Sequence, residues 1–209
     1  MMPCNVTAMT GDRGRGRPRS DQARQSILDA ATAIAARDGY SAVTMKGIAQ
    51  AAGTGRATVY RWWPTPAAVL MEALNELGAT RATPAPTADP RADLLAFLRA
   101  TFALAETGPA RTLLLGLTAD AQHDPAIAAA VGDLITRRRA ILRGLLARTG
   151  EQWCTPLDVV VDMLFGAMWY RMIDLHAPVD GALAAELCQA VDAMRRPTPT
   201  PTPTRTPTP

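Results

Sequence analysis

Between Arg56 and Trp63 the chain gathers Arg, Thr, Tyr, Arg and Trp within about two helical turns. Val59 and Trp63, four apart, share one helical face and can be buried together. Arg56, Ala57, Thr58, Tyr60, Arg61 and Trp62 fall outside that pair. A basic, hydroxyl-bearing and aromatic surface on so short a helix is hard to explain as core. It suits a DNA duplex. Arginine can clamp guanine O6 and N7 bidentately, and a threonine methyl can touch that of thymine. Gly53-Thr54-Gly55 just ahead marks a tight turn, and Thr44 is placed to cap a preceding short helix. Two short helices joined by a glycine turn form the geometry that lays the second into a major groove about 12 Å wide. Upstream, Arg13, Arg15, Arg17 and Arg19 occupy every second position. That run reads as a flexible arm for phosphates or a minor groove.

Other chemistries find less support. Cys4, Cys154 and Cys188 are widely spaced and contain no C-x-x-C pair, so they read as reduced thiols, two of them packed in helices. His123 lies between Asp120 and Asp124, but a loop before Pro125 accounts for all three, and His176 reads as a helix-end histidine. Asp158 and Asp162 are four apart, with nothing else to mark an acid–base pair. Serine occurs only at 20, 26 and 41. G-x-S-x-G, P-loop, G-x-G-x-x-G and H-E-x-x-H patterns are absent from the sequence. No catalytic residue, metal site or cofactor is therefore expected, and a small helical enzyme is a weak alternative. An architectural DNA-binding protein without sequence preference is another, but it would call for more charge. The net charge of +3 is uneven: residues 1–75 carry nine Lys+Arg against five Asp+Glu, and the remainder thirteen against fourteen.

The elements that must position these groups are all helical; no strand alternation or hairpin signal interrupts them. The spacing predicts a first helix from near Ser20 to about Asp38, then helices from Thr44 to Ala52, from Arg56 to Trp63, and from near Pro66, with Pro64 ending the third. Beyond the Thr83–Thr87 bend lie five apolar-periodic stretches, marked by Leu94–Ala105, Leu113–Leu117, Ile127–Leu146, Leu157–Ile173 and Leu183–Met194. The Arg137-Arg138-Arg139 triplet cannot share one helical face, so at most one arginine points inward. Residues 197–209, PTPTPTPTRTPTP, predict an extended solvated tail. The organisation is then an arm over 1–18, a helix-turn-helix domain over 19–65, a helical domain of about five to six helices over 66–196, and the tail. No apolar run reaches the roughly 18–20 residues of a membrane span, and no secretory signal opens the chain, so a cytoplasmic protein is expected.

The run Thr44-Met45-Lys46-Gly47-Ile48-Ala49-Gln50-Ala51-Ala52-Gly53, followed by Arg56-Ala57-Thr58-Val59-Tyr60-Arg61-Trp62-Trp63-Pro64, closely resembles the N-terminal domain of TetR-type repressors. The resemblance covers residues 20–75. The later Leu-Thr-Ala-Asp-Ala-Gln stretch ending at Gln122 and Trp169-Tyr170-Arg171 resemble a ligand-binding C-terminal domain more loosely. It implies a homodimer on a palindromic operator, released by a small hydrophobic effector. Arg56 and Thr58 would face bases, with Gly55 and Ala57 alongside. Thr44, Lys46 and Tyr60 would meet phosphate, Arg61 and Trp62 would follow the backbone, and Arg15, Arg17 and Arg19 would act from the arm. The chain departs from the family pattern at Pro66, often lysine; at Gly55, often a hydroxyl cap; and at Trp62, usually histidine or arginine. The helix over Leu157–Ile173 is apolar on more than one face, as a helix buried on two sides would be. The resemblance assigns one side to a dimer formed by Leu157, Val161 and Leu164 with Leu183, Leu187, Val191 and Met194. An effector cavity near Trp169 is expected from Phe102, Leu113, Leu117, Phe165, Met168, Tyr170 and Met172, because aromatics and thioethers adapt to irregular apolar shapes.

Overall fold

The computed structural model describes residues 17–106, 108–150 and 152–195. The Gly/Arg-rich segment through Gly16, including Arg15, and the Pro/Thr tail lie outside the described residues. Among the described residues the chain forms α1 (Arg17–Asp38), α2 (Met45–Ala51), α3 (Arg56–Trp62), α4 (Pro66–Arg81), α5 (Pro90–Glu106), α6 (Gly108–Asp120), α7 (Pro125–Arg148), α8 (Leu157–Asp174) and α9 (Gly181–Ala193). No strand forms among them; one isolated bridge pairs Trp153 with Arg195. The all-α expectation is met. No described helix is long and apolar enough to cross a membrane.

Two details differ from the sequence reading. Helix α1 begins at Arg17 and not near Ser20, so Arg17 and Arg19 belong to a helical turn and not to an arm. Pro18 is compatible with that start, because the first turn leaves its N–H groups unpaired anyway. Cys154 sits exposed in the bend before α8, outside any helix; only Cys188, in α9, is partly buried in one.

The chain divides into two compact units, Met1–Ala73 and Leu74–Pro209, so the division falls inside α4 and later than the boundary expected at residue 65. The reason is packing. The first turns of α4 bury Val69, Leu70 and Ala73, and Glu72 is tied to α1 and to the end of α3.

In the first unit, α1 packs on α2, and α2 on α3. Ile27, Ile48 and Val59 are fully buried there. Thr44 caps α2, its Oγ1 accepting from the Gly47 amide at 3.0 Å. Gly53 turns the chain with φ of 64°, a left-handed conformation that costs side-chain-bearing residues about 1–2 kcal/mol.

In the second unit α5 is the central helix, contacting α6, α7, α8 and α9. Its Phe97, Leu98 and Phe102 are buried in a core shared with Leu142 and Leu146 of α7, and Val160, Val161 and Leu164 of α8. Asp124 and Asp180 cap α7 and α9, each accepting from the first backbone amides of its helix. That role accounts for Asp124 beside His123. Asp93 is a buried polar joint. It accepts from the Thr87 amide at 2.8 Å, from the Thr87 hydroxyl at 2.7 Å and from Arg148 at 2.8 Å.

Candidate nucleic-acid interface and ligand cavity

Packing within the first unit fixes α3 by one face. Val59 and Trp63 are 0% and 4% exposed, respectively. Trp63 Nε1 donates to Glu72 Oε2, and Arg24 Nε donates to Glu72 Oε1 at 2.6 Å. One carboxylate of α4 thus latches both α1 and the C-terminal end of α3. Sequence reasoning passed over Glu72, because an isolated acid on an apolar helix carries no spacing signal of its own.

With that face pinned, Arg56, Ala57, Tyr60 and Arg61 stand exposed, and Thr58 and Trp62 are half-buried. Trp62 meets Trp63 edge-on at 5.4 Å between ring centroids, and the Arg61 guanidinium lies 5.4 Å from the Trp62 ring. Thr44, Lys46 and Gly55 are exposed as well. Among the described residues no carboxylate pairs with Lys46, Arg56 or Arg61, whereas Arg24 and Arg37 are each paired. Cations left uncompensated on α2 and α3 are what a polyanion requires.

The second unit holds a half-open, largely apolar cavity of about 320 Å³, within the range of small-molecule sites. Leu74 and Gly78 of α4, Leu104 and Ala105 of α5, and Leu114 of α6 contribute to its wall. Phe165, Met168 and Trp169 of α8 line it, so the structure gathers these three of the expected residues. The others are corrected. Phe102, Leu113, Leu117 and Met172 are buried but do not line this cavity, because their helix faces turn into the packed core. Tyr170 is 63% exposed and lies against His176, with ring centroids 4.6 Å apart. Arg171 donates to the Pro178 carbonyl and does not reach the cavity lining.

The arginine triplet splits as helical spacing requires. Arg137 donates to Asn75 Oδ1, and Arg139 pairs with Asp162. Arg138 points inward. It donates to the Ala82 carbonyl at 2.9 Å and to the Thr101 hydroxyl at 2.6 Å, with its guanidinium carbon 4.5 Å from the Phe97 ring centroid. Burial pulls its pKa down to about 10, so it remains cationic at neutral pH. Arg138, Arg139, Thr101 and Asp162 are the polar members of the lining.

Helix α8 has a second face. Val159, Met163, Tyr170 and Ile173 are 44%, 48%, 63% and 61% exposed, with Gly166 between them. Their spacing of four, three, four and three residues makes one continuous apolar stripe. Four of the expected dimer residues are not on the subunit surface. Val161, Leu164, Leu183 and Val191 are at most 4% exposed within a single subunit, because they fill its own core. Leu157, Leu187 and Met194 pack partly buried around that same core.

Comparison with known proteins places these features in a family. Residues 27–73 match the model described as "Bacterial regulatory proteins, tetR family". Residues 84–191 match that described as "Tetracyclin repressor-like, C-terminal domain". The chain belongs to the TetR family and is a helix-turn-helix transcriptional regulator. The transcriptional regulator YdeS of Bacillus subtilis (strain 168) is 29% identical over 178 residues, which is 83% of this chain and 89% of its own. The repressor KstR of Mycolicibacterium smegmatis is 42% identical over 52 residues, 25% of this chain and 26% of its own. Among solved structures, the TetR-family regulator SCO0332 superposes with a TM-score of 0.66 at 30% identity, over 84% of this chain and 100% of that one. FadR from Bacillus subtilis, in complex with stearoyl-CoA, shares the fold with a TM-score of 0.60 at 18% identity, over 80% and 96%.

Proposed function

We propose that this regulator acts in the cytoplasm as a repressor. It binds a near-palindromic operator as a two-fold dimer and is released by a small, largely hydrophobic effector. Helix α3 enters the major groove. Arg56 and Thr58 read base edges beside Gly55 and Ala57, while Thr44, Lys46 and Tyr60 hold phosphate and Arg61 and Trp62 follow the backbone. Arg15, Arg17 and Arg19 add phosphate contacts from the N-terminal side. Strongest support comes from the exposed cationic face of α3, without carboxylates, on a helix pinned from behind by Glu72. A relative named as a repressor supports the sign of regulation.

The dimer forms through the outward stripe of α8, Val159, Met163, Tyr170 and Ile173, beside the exposed Ala182, Glu186 and Gln189 of α9. The effector occupies the cavity beside Trp169; the FadR neighbour was solved with a long-chain acyl thioester. Leu74 and Gly78 of α4 line that cavity, and earlier in the same helix Glu72 holds α3. Displacement of α4 by the effector is the route to the reading head.

Selection of genomic fragments on the full-length protein, followed by competition with random DNA, tests the reading. Paired half-sites with a two-fold relation are expected. Equal affinity for random DNA would favour an architectural role instead. Operator DNA must also weaken effector binding by the factor by which effector weakens operator binding, with typical couplings of about 1–3 kcal/mol.

A further inference from the structure

We infer that Arg138 makes the cavity of the second unit selective for amphiphiles with a carboxylate head, and that the effector is such an anion. This rests on the reading that the cavity is the effector site.

A buried cation is costly unless paired. Arg138 is partly buried, yet every oxygen it reaches is neutral. Its acceptors are the Ala82 carbonyl, the Thr83 hydroxyl at 3.2 Å and the Thr101 hydroxyl. Phe97 offers a ring face on its flank. Among the described residues no carboxylate pairs with it. The acid in the cavity lining, Asp162, sits 60% exposed and is taken by Arg139. A guanidinium carries five N–H donors, and the contacts above use three. The remainder form part of a fork matched to a carboxylate, which a lysine could not reproduce. Thr101, itself 8% exposed, accepts from Arg138 and so keeps its hydroxyl hydrogen for a second oxygen.

The rest of the wall is chemically different. Leu104, Leu114, Phe165 and Met168, with the ring of Trp169, offer surface for an apolar body. A charged head against Arg138 and Thr101 with an alkyl or aromatic body along those side chains satisfies both parts. A neutral apolar ligand would leave the cation as it is and gain nothing from it. A cationic amphiphile would be repelled by Arg138.

The test measures equilibrium binding of decanoate, decanol and decyltrimethylammonium to the full-length protein by calorimetry, with operator release followed in parallel. Decanoate should bind about 10- to 100-fold more tightly than decanol, the range of a charge-assisted hydrogen bond, and the cation should bind least. In Arg138→Gln that preference should fall to near unity while decanol affinity stays within a few-fold. Arg138→Lys, which keeps the charge without the fork, should retain part of it and serves if the glutamine variant does not fold. Decanol binding the wild type as tightly as decanoate, and still releasing operator, overturns the anion assignment and leaves the effector cavity standing. A decanoate preference that persists in both variants also overturns it. Failure of all three probes to bind removes the cavity reading, and this inference with it.

Discussion

Replacing Met163 with aspartate separates the two faces of α8. Met163 is 48% exposed in the subunit, so about half its side chain remains open for burial in the proposed dimer. Full burial of such a side chain contributes about 1.5–3 kcal/mol, so the outstanding half is worth roughly 1 kcal/mol. Two-fold symmetry uses the residue twice, giving about 2 kcal/mol. An aspartate in the stripe between Val159 and Tyr170 also leaves a carboxylate without partners in each copy, at about 1–3 kcal/mol apiece. The sum is about 4–8 kcal/mol, so the dimer dissociation constant should rise by at least about 10³-fold. Sedimentation equilibrium over a concentration series reads that directly, and far-UV circular dichroism checks that the subunit keeps its helices. The adjacent residue is the control. Leu164 is 1% exposed, and Leu164→Ala should instead cost the subunit about 2–5 kcal/mol of unfolding free energy. A Met163→Asp protein that stays dimeric like the wild type, or that loses its fold as Leu164→Ala does, would refute the outward assignment of the stripe.

Other consequences are testable in the same protein. Glu72→Gln removes the Arg24 ion pair and weakens the hold on Trp63, so urea unfolding should show a loss of about 1 kcal/mol for this half-exposed latch, with operator affinity falling alongside. Gly78 is buried in α4 with no atom within 4 Å of an added Cβ, so Gly78→Ala should raise stability by about 0.5–1 kcal/mol, seen as a higher melting temperature; a loss would mean the cavity wall is closed there. Hydrogen bonds from Thr87 hold the Asp93 carboxyl below its ordinary 3.8, outweighing its desolvation, with Arg148 adding to the effect. Its contribution is therefore complete above that value and is lost as pH falls through the lowered one, so Asp93→Asn should flatten the acid limb of a stability–pH curve. Arg56→Ala should relax base preference at a cost of about 1–3 kcal/mol per half-site, whereas Tyr60→Phe should weaken all sequences alike; titration on matched and single-base-changed operators would expose a reversal of these roles.

The reading head was legible in the sequence because its signals are local. Thr44 as a cap, Gly53 in a left-handed turn, Pro64 after α3 and the Val59–Trp63 pair each act within a few residues of themselves, and chain-neighbour physics decides them. The second unit was legible as helices but not as surfaces. Periodicity shows that α8 is apolar on two sides; it cannot say which side a subunit keeps for its own core. Packing of α5 and α7 decided that, turning Val161 and Leu164 inward and leaving Met163 and Tyr170 outside. The same holds for the arginine triplet. Helical geometry limits it to at most one inward member, but only the placement of Ala82, Phe97 and Thr101 around Arg138 makes that member a partly buried cation at a cavity wall. Sequence spacing fixes the angle between side chains on one helix, while the neighbours that each angle meets come from residues scores of positions away.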